Sequence, residues 1–455
     1  MPTPTSAGTV APAPTGTTAP PKPRPSPPLA RRFCVAGGIE TSSAHSALAV
    51  LNANGQPARV TLTLYFERGG TATATLTVPA NAQRSYSVAG LTPRRGAFGL
   101  CVASDRAVSG QINLTRPGTD GDSLLGSPSL GRTWYLAEGY TGLTFRETVS
   151  ILNPNGQAAT VRLRLLPPGG RGNRTVSEAV AAHSERVVDV NSLAGKKGTA
   201  VSIVADSNRP VLVERTLTFG KAGYGLTARE GTPNTATSWT FAEGSTARPF
   251  QTFLTVLNPQ SHSASVTATF FGRDGRRLGR RTLTVAGGAR ATILVNNIVR
   301  GVSSVASVLT SDRPVVVERP EYFGSPNARG VAGSDVFGRT GPAARWTVPG
   351  STLAAGDSEF LLLYNPGARA AQVDITFYST TVGRTATTRV TAPAGARYTF
   401  DVNAYQRGTP RHPGPTLSAS HGETLQVRNG GRIVVERSVF GRGHATLQAS
   451  QGLAG

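Results

Sequence analysis

Apolar and polar side chains alternate with a period of two along most of this chain, in short runs that end at turn-forming residues. One clear run places Val60, Leu62 and Leu64 on one side of a strand and threonines on the other. Successive side chains of a strand point to opposite faces, so this pattern predicts antiparallel strands with one buried and one solvent-facing side. The pattern returns at 161–165, 266–270 and 373–377. The chain is therefore predicted to be all-β and built from repeats.

Each copy of the repeat opens with an aromatic residue, and these residues are 101, 105 and 107 positions apart. Propeller blades and solenoid units are shorter, at roughly 20 to 50 residues. Each copy contains about seven short strand patterns separated by turn residues, which favours a sandwich of two packed sheets. We expect the opening aromatic residues to pack in the core or at a domain junction. They are Phe33, Trp134, Trp239 and Trp346.

These patterns predict four tandem immunoglobulin-like β-sandwich domains in an elongated array, on the order of 150 Å long. The N-terminal segment is rich in Pro, Thr and Ala, and we expect it to form an extended or disordered leader because such a composition buries no core. The predicted boundaries are 1–29 for the leader, 30–131 for repeat 1, 132–236 for repeat 2, 237–343 for repeat 3 and 344–455 for repeat 4.

An asparagine ends the first long apolar run of every copy and is followed by Pro, Gly or another turn-forming residue. An asparagine side chain can accept a hydrogen bond from the backbone two residues ahead, which stabilises a turn. We therefore interpret this residue as a turn former and not as a catalytic group. The four copies carry it as Asn52, Asn153, Asn258 and Asn365.

An arginine recurs 32 or 33 residues after that asparagine, and a glutamate recurs near the end of repeats 2 to 4. The two could form a recognition site present in several copies, or they could be ion pairs that fix strand register. We favour register pairs, since charges paired across a sheet commonly have that role and since Gln111 replaces the glutamate in repeat 1. The arginines are Arg84, Arg186, Arg290 and Arg397, and the glutamates are Glu214, Glu318 and Glu436.

The two cysteines, Cys34 and Cys101, both lie in repeat 1. We predict that they form a disulfide, which would stabilise the domain by about 4 kcal/mol. The alternative is a pair of buried free thiols. A disulfide indicates an oxidising compartment, so we predict a secreted or cell-surface protein whose export signal was removed upstream of Met1. The alternative is a cytoplasmic protein with a disordered tail.

The formal net charge is +22, and only four of the 47 basic residues are lysines. The arginines are scattered as singles and as pairs such as Arg276–Arg277 and Arg280–Arg281, without interleaved aromatic residues. This arrangement predicts no specific nucleic-acid site, although a dispersed positive surface attracts acidic polymers. No run of eighteen apolar residues is present, so no membrane span is predicted.

The sequence carries no motif that predicts catalysis. The six histidines occupy non-equivalent positions without metal-ligand spacing. Asp120 and Asp122 offer two carboxylates, but a calcium loop needs six or more oxygens, so we predict a turn there. We therefore predict no catalytic, cofactor-binding or metal site. An enzyme stays an alternative, because sites on loops of a sandwich leave no trace in a repeat pattern.

Repeat 3 carries three motifs in order: W-x-x-A-E-G at 239–244, L-N-P at 257–259 and D-R-P-V-V-V-E-R at 312–319. Their order resembles that of tandem repeats in uncharacterised secreted or surface proteins of GC-rich bacteria, over residues 30–455. The resemblance implies an extracellular immunoglobulin-like module of unknown ligand, and it supplies no catalytic residues. The A-E-G motif is missing from repeats 1 and 4.

Together these features predict a non-enzymatic extracellular structural or adhesive surface protein. Its partner would be further copies of itself, joined into a filament through strand edges or the leader. One alternative is a binding module for an anionic cell-wall polysaccharide, which would use the positive surface. A second alternative is an accessory domain associated with an enzyme.

Overall fold

The computed structural model describes residues 30–116, 120–142, 144–194, 198–324, 331–350, 353–380, 385–409, 412–441 and 447–454. Strands dominate this part of the chain, and each repeat folds into antiparallel sheets packed face to face. The predicted all-β, four-sandwich fold is confirmed. The predicted leader, residues 1–29, lies outside the described residues. Among the described residues, no helix has the length and apolar character needed to cross a membrane.

Repeat 1 shows the plan that the other repeats follow. Its long strand β6 belongs to both sheets: the first half pairs with β3 and β1, and the second half pairs with β2 and β7. Strand β4 joins β3, and β5 joins β2. The elements are β1 (Ala30–Glu40), β2 (His45–Asn52), β3 (Ala58–Phe66), β4 (Thr71–Val78), β5 (Ala82–Ser87), α1 (Val88–Leu91), β6 (Gly96–Thr115) and β7 (Asp122–Leu125).

Repeats 2 and 3 use the same strand order. Repeat 2 comprises β8 (Gly131–Leu136), β9 (Tyr140–Thr141), β10 (Arg146–Asn153), β11 (Ala159–Leu166), β12 (Arg174–Val180), β13 (Ser184–Asp189), α2 (Val190–Ala194), β14 (Thr199–Ala200), β15 (Ser202–Phe219), a 3-10 turn (Lys221–Gly223) and β16 (Gly225–Glu230). Repeat 3 comprises β17 (Ala236–Phe241), β18 (Phe250–Asn258), β19 (Ala264–Phe271), β20 (Arg277–Val285), β21 (Ala289–Leu294), a 3-10 turn (Val295–Asn297), β22 (Ala306–Phe323) and β23 (Ala332–Phe337). Strands β8 and β17 begin one residue ahead of the predicted repeat boundaries.

Repeat 4 differs because two strands, β31 and β32, replace the single long strand. The chain turns between them at Gly430, whose φ of 74° favours glycine. The elements are β24 (Arg345–Val348), β25 (Ser358–Tyr364), β26 (Ala371–Ser379), β27 (Thr385–Ala392), β28 (Arg397–Asp401), α3 (Val402–Arg407), β29 (Gly408–Thr409), β30 (His412–Pro413), β31 (His421–Val427), β32 (Val434–Phe440), β33 (Leu447–Gln451) and β34 (Leu453–Ala454).

The cores follow the period-two pattern of the sequence. In β3, Val60, Leu62 and Leu64 are buried between the sheets while Thr61 and Thr63 are partly exposed. The opening aromatic residues are buried as predicted, and each tryptophan ring N–H finds a carbonyl acceptor, as buried indoles usually do. These bonds run from Trp134 to Val211 (2.9 Å), from Trp239 to Val315 (3.0 Å) and from Trp346 to Ile433 (3.1 Å). Phe33 is the fourth buried opening residue.

The recurring asparagine stabilises its turn and also ties it to the next hairpin. The backbone N–H of Asn54 donates to Oδ1 of Asn52 at 3.0 Å, which is the turn contact that the sequence predicts. The Asn52 side-chain nitrogen donates to the carbonyls of Gln56, Val78 and Pro79 at 2.9, 3.1 and 2.9 Å. Asn153 and Asn258 repeat all of these backbone contacts, and Asn365 repeats most of them.

Repeat 1 contains the predicted disulfide. Cys34 and Cys101 are bonded with an S–S distance of 2.00 Å. The two residues stand directly opposite each other on the neighbouring strands β1 and β6. The bond therefore links the opening strand covalently to β6, the long strand that belongs to both sheets.

The four repeats form a closed ring, so the predicted elongated arrangement is wrong. Strands β7, β16, β23 and β33 pack against one another in turn around a central axis, and β33 meets β7 again. Repeat 4 binds repeat 1 directly: the side chain of Gln83 donates to Ser420 at 3.0 Å and accepts from the N–H of Gly350 at 2.6 Å. Head-to-tail contacts generate a ring when their rotation closes, and here it closes after four copies.

Candidate functional site: the four domain junctions

Each junction joins the opening strand of one repeat to the second half of the long strand in the next repeat, or to β32, which takes its place in repeat 4. We call the junctions 1–2, 2–3, 3–4 and 4–1 after the repeats they join. The recurring glutamates lie there: Glu318 accepts the N–H of Ala137 at 2.6 Å, and Glu436 accepts the N–H of Ala242 at 2.8 Å. These bonds cross from one repeat to the next. The prediction that Glu318 and Glu436 belong to pairs that fix strand register is therefore wrong, because each binds a different domain.

The A-E-G motif supplies a second contact at junctions 2–3 and 3–4. Arg290 lies 3.1 Å from Glu138 and donates to the carbonyl of Gly139 at 2.7 Å. Arg397 lies 3.5 Å from Glu243. All four charged side chains are buried. The glutamate of A-E-G is thus a junction residue, and each of these two arginines binds the repeat that precedes its own.

Junctions 1–2 and 4–1 replace that ion pair by backbone contacts. Gly37 and Gly350 stand where the other repeats carry the glutamate of A-E-G. The N–H of Gly37 lies 3.3 Å from Glu185 Oε1, and the N–H of Gly350 donates to Gln83 as described. Glu185 and Gln83 directly precede the recurring arginine, where repeats 3 and 4 carry alanine. The chain therefore uses two kinds of junction, each with its own matched residues.

The recurring arginines of repeats 1 and 2 are not part of these buried contacts. Arg186 Nε lies 3.3 Å from Glu178 Oε2 of the same repeat, at the surface. This pair is a within-repeat ion pair of the kind that the sequence predicts. Arg84 lies on β5 opposite Val50 and is partly exposed.

Gln111 replaces the recurring glutamate at junction 4–1 for a reason that lies in repeat 4. Pro349 stands at the position of Ala137 and Ala242, and proline has no N–H to donate to a carboxylate. With its amide turned to donate, the Gln111 side-chain nitrogen lies 2.8 Å from the carbonyl oxygen of Pro349. A glutamine can make this bond and an ionised glutamate cannot.

At junction 1–2, Glu214 has no arginine beside it from the preceding repeat. Its Oε1 accepts from the hydroxyl of Thr216 at 2.8 Å, and its Oε2 is buried without a hydrogen-bond partner among the described residues. Burial raises the pKa of Glu214 to about 8. The carboxyl group is therefore largely protonated at neutral pH.

A buried arginine that was not predicted as a functional residue follows the recurring glutamate in repeats 2 to 4. Arg215 Nη1 lies 2.9 Å from Glu318 Oε2, and its Nη2 donates to Asp335. Both carboxylates belong to repeat 3, and all three groups are fully buried. Arg319 pairs with Glu436 in the same way at 3.2 Å. The E-R pair of the D-R-P-V-V-V-E-R motif was the available signal, but its partners lie a hundred residues away.

Asp120 and Asp122 lie near the central axis, and the turn predicted there is wrong at Asp122, which begins β7. The Asp122 carboxylate accepts the N–H of Ala228 in repeat 2 at 2.8 Å. The Asp120 carboxylate accepts the N–H of Gly333 in repeat 3 at 2.9 Å. Burial raises the pKa of Asp122 to about 7. These two side chains tie repeat 1 to two other members of the ring.

Repeat 4 contains a buried group with metal-ligand geometry, formed by Glu359, His421 and Glu423, whose ligand atoms lie within 4.8 Å of one another. The two histidine nitrogens lie 2.7 Å from Glu359 and 2.8 Å from the Ser418 carbonyl, so both act as donors. Burial lowers the pKa of His421, but the Glu359 carboxylate outweighs it and raises the pKa to about 9. Arg437 adds a second cation 3.6 Å from Glu423. A doubly protonated imidazole offers no lone pair to a metal, so we interpret the group as an ion network.

A positive surface patch lies on the hairpin between β19 and β20 of repeat 3. Its arginines are exposed, and Asp274 is the acidic residue among them. The Asp274 side chain accepts the backbone N–H of Arg276 at 3.0 Å, which shapes the turn. We call this feature the basic hairpin, and its arginines are Arg273, Arg276, Arg277, Arg280 and Arg281.

No protein family model matches this sequence, and no curated protein matches it. Among solved structures, a protein titled Thermotoga maritima 1070 is 24% identical over 22% of this chain and 93% of its own, with a TM-score of 0.21. A tetra-tandem repeat from the extending region of a large adhesion protein is 15% identical over 92% and 99%, with a TM-score of 0.12. A glycoside hydrolase of family 32 from Bifidobacterium adolescentis is 9% identical over 93% and 95%, with a TM-score of 0.15. At these TM-scores none of the three likenesses supports an inference about this chain.

Proposed function

We propose that this protein is a non-enzymatic extracellular structural or adhesive surface protein whose four sandwiches act as one rigid ring. The observation that carries the proposal is the use of its repeated charged residues. Glu318, Glu436 and Arg290 are buried and bind neighbouring repeats, so they hold the domains in place and do not face a substrate. The disulfide of repeat 1 supports an oxidising, extracellular location.

Further copies of the same chain are the proposed partner. Strands β4, β12, β20 and β27 end the sheet orders of their repeats, and such edge strands can accept a strand from another molecule. Assembly on a surface therefore needs no additional binding site.

Three measurements test the proposal: the cellular location of the protein, the shape of its assemblies and its ability to degrade cell wall. Intact cells labelled with a membrane-impermeant reagent should give labelled protein, and electron microscopy of surface extracts should show ring-shaped particles, single or in rows. Purified protein incubated with isolated cell walls should release no sugar or peptide. Protein protected from the reagent in intact cells, or catalytic release of wall fragments, would overturn the proposal.

The second candidate function is binding of an anionic cell-wall polysaccharide, and the basic hairpin is the observation that favours it. Five exposed arginines on one hairpin concentrate positive charge that elsewhere on the ring is dispersed. Binding through such a patch weakens as salt screens the charges.

Co-sedimentation with purified wall at rising salt tests this function. The variant R276Q/R277Q/R280Q/R281Q should lose most of the salt-sensitive binding. A control of two exposed arginines on repeat 1, R94Q/R95Q, should retain it. Equal binding by the two variants would exclude the hairpin as the site, and an absence of binding at low salt would exclude this function.

A further inference from the structure

Two of the junctions each contain a cluster of four aromatic side chains. At junction 2–3, Phe145 and Phe219 of repeat 2 pack with Phe253 and Tyr322 of repeat 3, and the ring centroids lie 5.0 to 6.2 Å apart. At junction 3–4 the same four positions also hold aromatic residues, with centroids 5.0 to 6.0 Å apart. They are Phe250, Phe323, Phe360 and Phe440.

Junction 1–2 lacks these rings and has a cavity in their place. The four equivalent positions hold Ala44, Arg116, Thr148 and Thr218, as counted from the recurring asparagine and the recurring glutamate or glutamine. All four line a cavity of about 390 Å³. Cavities of a few hundred Å³ with a few polar groups are typical of small-molecule sites. The same construction that packs two junctions with rings therefore leaves room for a ligand in this one.

The lining combines cations, hydroxyl groups and an apolar floor. Arg116 and Arg146 contribute guanidinium groups, and Arg146 is exposed, so the cavity opens at the surface. Arg146 also pairs with Asp189 at 3.0 Å. The hydroxyls are those of Thr115, Thr148, Ser150, Thr216 and Thr218, and the floor is formed by Leu114, Val187 and Leu226.

Gly37 forms the wall between the cavity and the carboxyl group of Glu214. It lines the cavity, and a Cβ at this position would lie 2.3 Å from Glu214 Oε2. That oxygen is buried and has no hydrogen-bond partner among the described residues. Any larger residue at position 37 would therefore have to displace the carboxyl group that lies behind this wall.

We propose that this cavity binds a small ligand that carries one carboxylate on a hydroxyl-rich body, of the sugar-acid class. A guanidinium group matches the two oxygens of a carboxylate in geometry and charge. Threonine and serine hydroxyls both donate and accept, so they suit a ligand with several hydroxyl groups. The site lies in repeats 1 and 2, away from the basic hairpin of repeat 3, and either can fail without the other.

Isothermal titration of the full chain with glucuronate and galacturonate, with glucose as the neutral control, tests the proposal. The acids should bind at least about tenfold more tightly than glucose, because only they can pair with the arginines. The variant R116Q should lose most of this preference. The variant R94Q, which changes one exposed arginine of repeat 1 outside the cavity, should bind the acids as the unmodified chain does.

A cavity-filling variant provides the structural control. A44F/T148F/T218Y introduces the residue types that junction 2–3 carries at these positions, so it should fold, as judged by near-ultraviolet circular dichroism, and should bind no acid. If the unmodified chain binds neither acid at about 10 mM, which is weaker than most specific sites, the proposal is wrong. Binding that survives in a folded A44F/T148F/T218Y variant, or acid preference that survives in R116Q, would also overturn it.

Discussion

Replacing Arg215 by isoleucine should weaken the contact between repeats 2 and 3. The Arg215 guanidinium is fully buried, lies 2.9 Å from Glu318, pairs with Asp335 and donates to the Glu138 carbonyl at 2.7 Å. R215I leaves two buried carboxylates without their cation. Removing one partner of a buried ion pair costs about 3 to 5 kcal/mol, and we expect a loss of that size in the free energy of unfolding.

The chain contains a control for this change, because junction 1–2 is built without the arginine. Ile112 stands at the position of Arg215, and Ala228 stands at the position of Asp335. The double variant R215I/D335A therefore copies an arrangement that the ring already accepts. It should regain at least about 2 kcal/mol relative to R215I, since it also removes the buried Asp335 charge that R215I leaves without a cation.

Hydrogen exchange of β16 and β23, read by mass spectrometry, measures the effect at the junction itself. R215I should accelerate exchange in both strands at pH 8 and less so at pH 5, where the buried carboxylates left without their cation take up protons more readily. The double variant should slow exchange again. A cost below about 1 kcal/mol for R215I would refute the reasoning, as would a D335A substitution that adds to the loss.

Three further predictions follow from individual contacts. Burial raises the pKa of Glu147 to about 8, so its folded state holds a proton that the unfolded chain loses above about pH 4.5. This group should therefore lower the free energy of unfolding by about 4 to 5 kcal/mol between pH 4.5 and pH 8. In E147Q the melting temperature should depend less on pH across that range. An E147Q variant with an unchanged pH profile would contradict this. Q111E should cost about 1 to 3 kcal/mol in urea unfolding, because the carboxylate would face the Pro349 carbonyl, and P349A/Q111E should restore stability by supplying an N–H. C34S/C101S should lose about 4 kcal/mol and match the reduced unmodified chain in calorimetry, and equal melting of oxidised and reduced protein would argue against the bond.

The sandwich fold could be predicted from the sequence because the residues that determine it lie close together along the chain. The alternation of Val60, Leu62 and Leu64 defines which face of β3 is buried, and the turn at Asn52 is determined by contacts within the same hairpins. Both signals lie within thirty residues of sequence, and the repetition of the pattern confirms them internally.

The ring was not predictable in the same way, because its contacts join residues far apart in sequence. Ala137 and Glu318 are separated by 181 positions, and a period of two shows that a face is covered without showing what covers it. The segments that close the ring, including β7 and β23, lie in Gly- and Ser-rich sequence that is typical of linkers. A sequence of this composition does not predict a strand, because the residues that pack against the strand belong to other domains.

One signal for the junctions was present in the sequence. The glutamate of the A-E-G motif, which is Glu138 in repeat 2 and Glu243 in repeat 3, is missing from repeats 1 and 4. In the repeat that follows each of these two, the residue before the recurring arginine is Glu185 or Gln83 and not alanine. This correlated change makes physical sense only if consecutive repeats touch at these positions. Repeats 4 and 1 show the same matched change, so the sequence itself indicates that the last repeat contacts the first.

Small-angle scattering from residues 30–455 tests the closed ring most directly. A compact protein of this length has a radius of gyration of about 22 Å, whereas a rod of about 150 Å has one of about 43 Å. The ring predicts a value near 22 Å that does not change with dilution. A value near 43 Å, with the scattering profile of a rod, would contradict the closure of repeat 4 onto repeat 1.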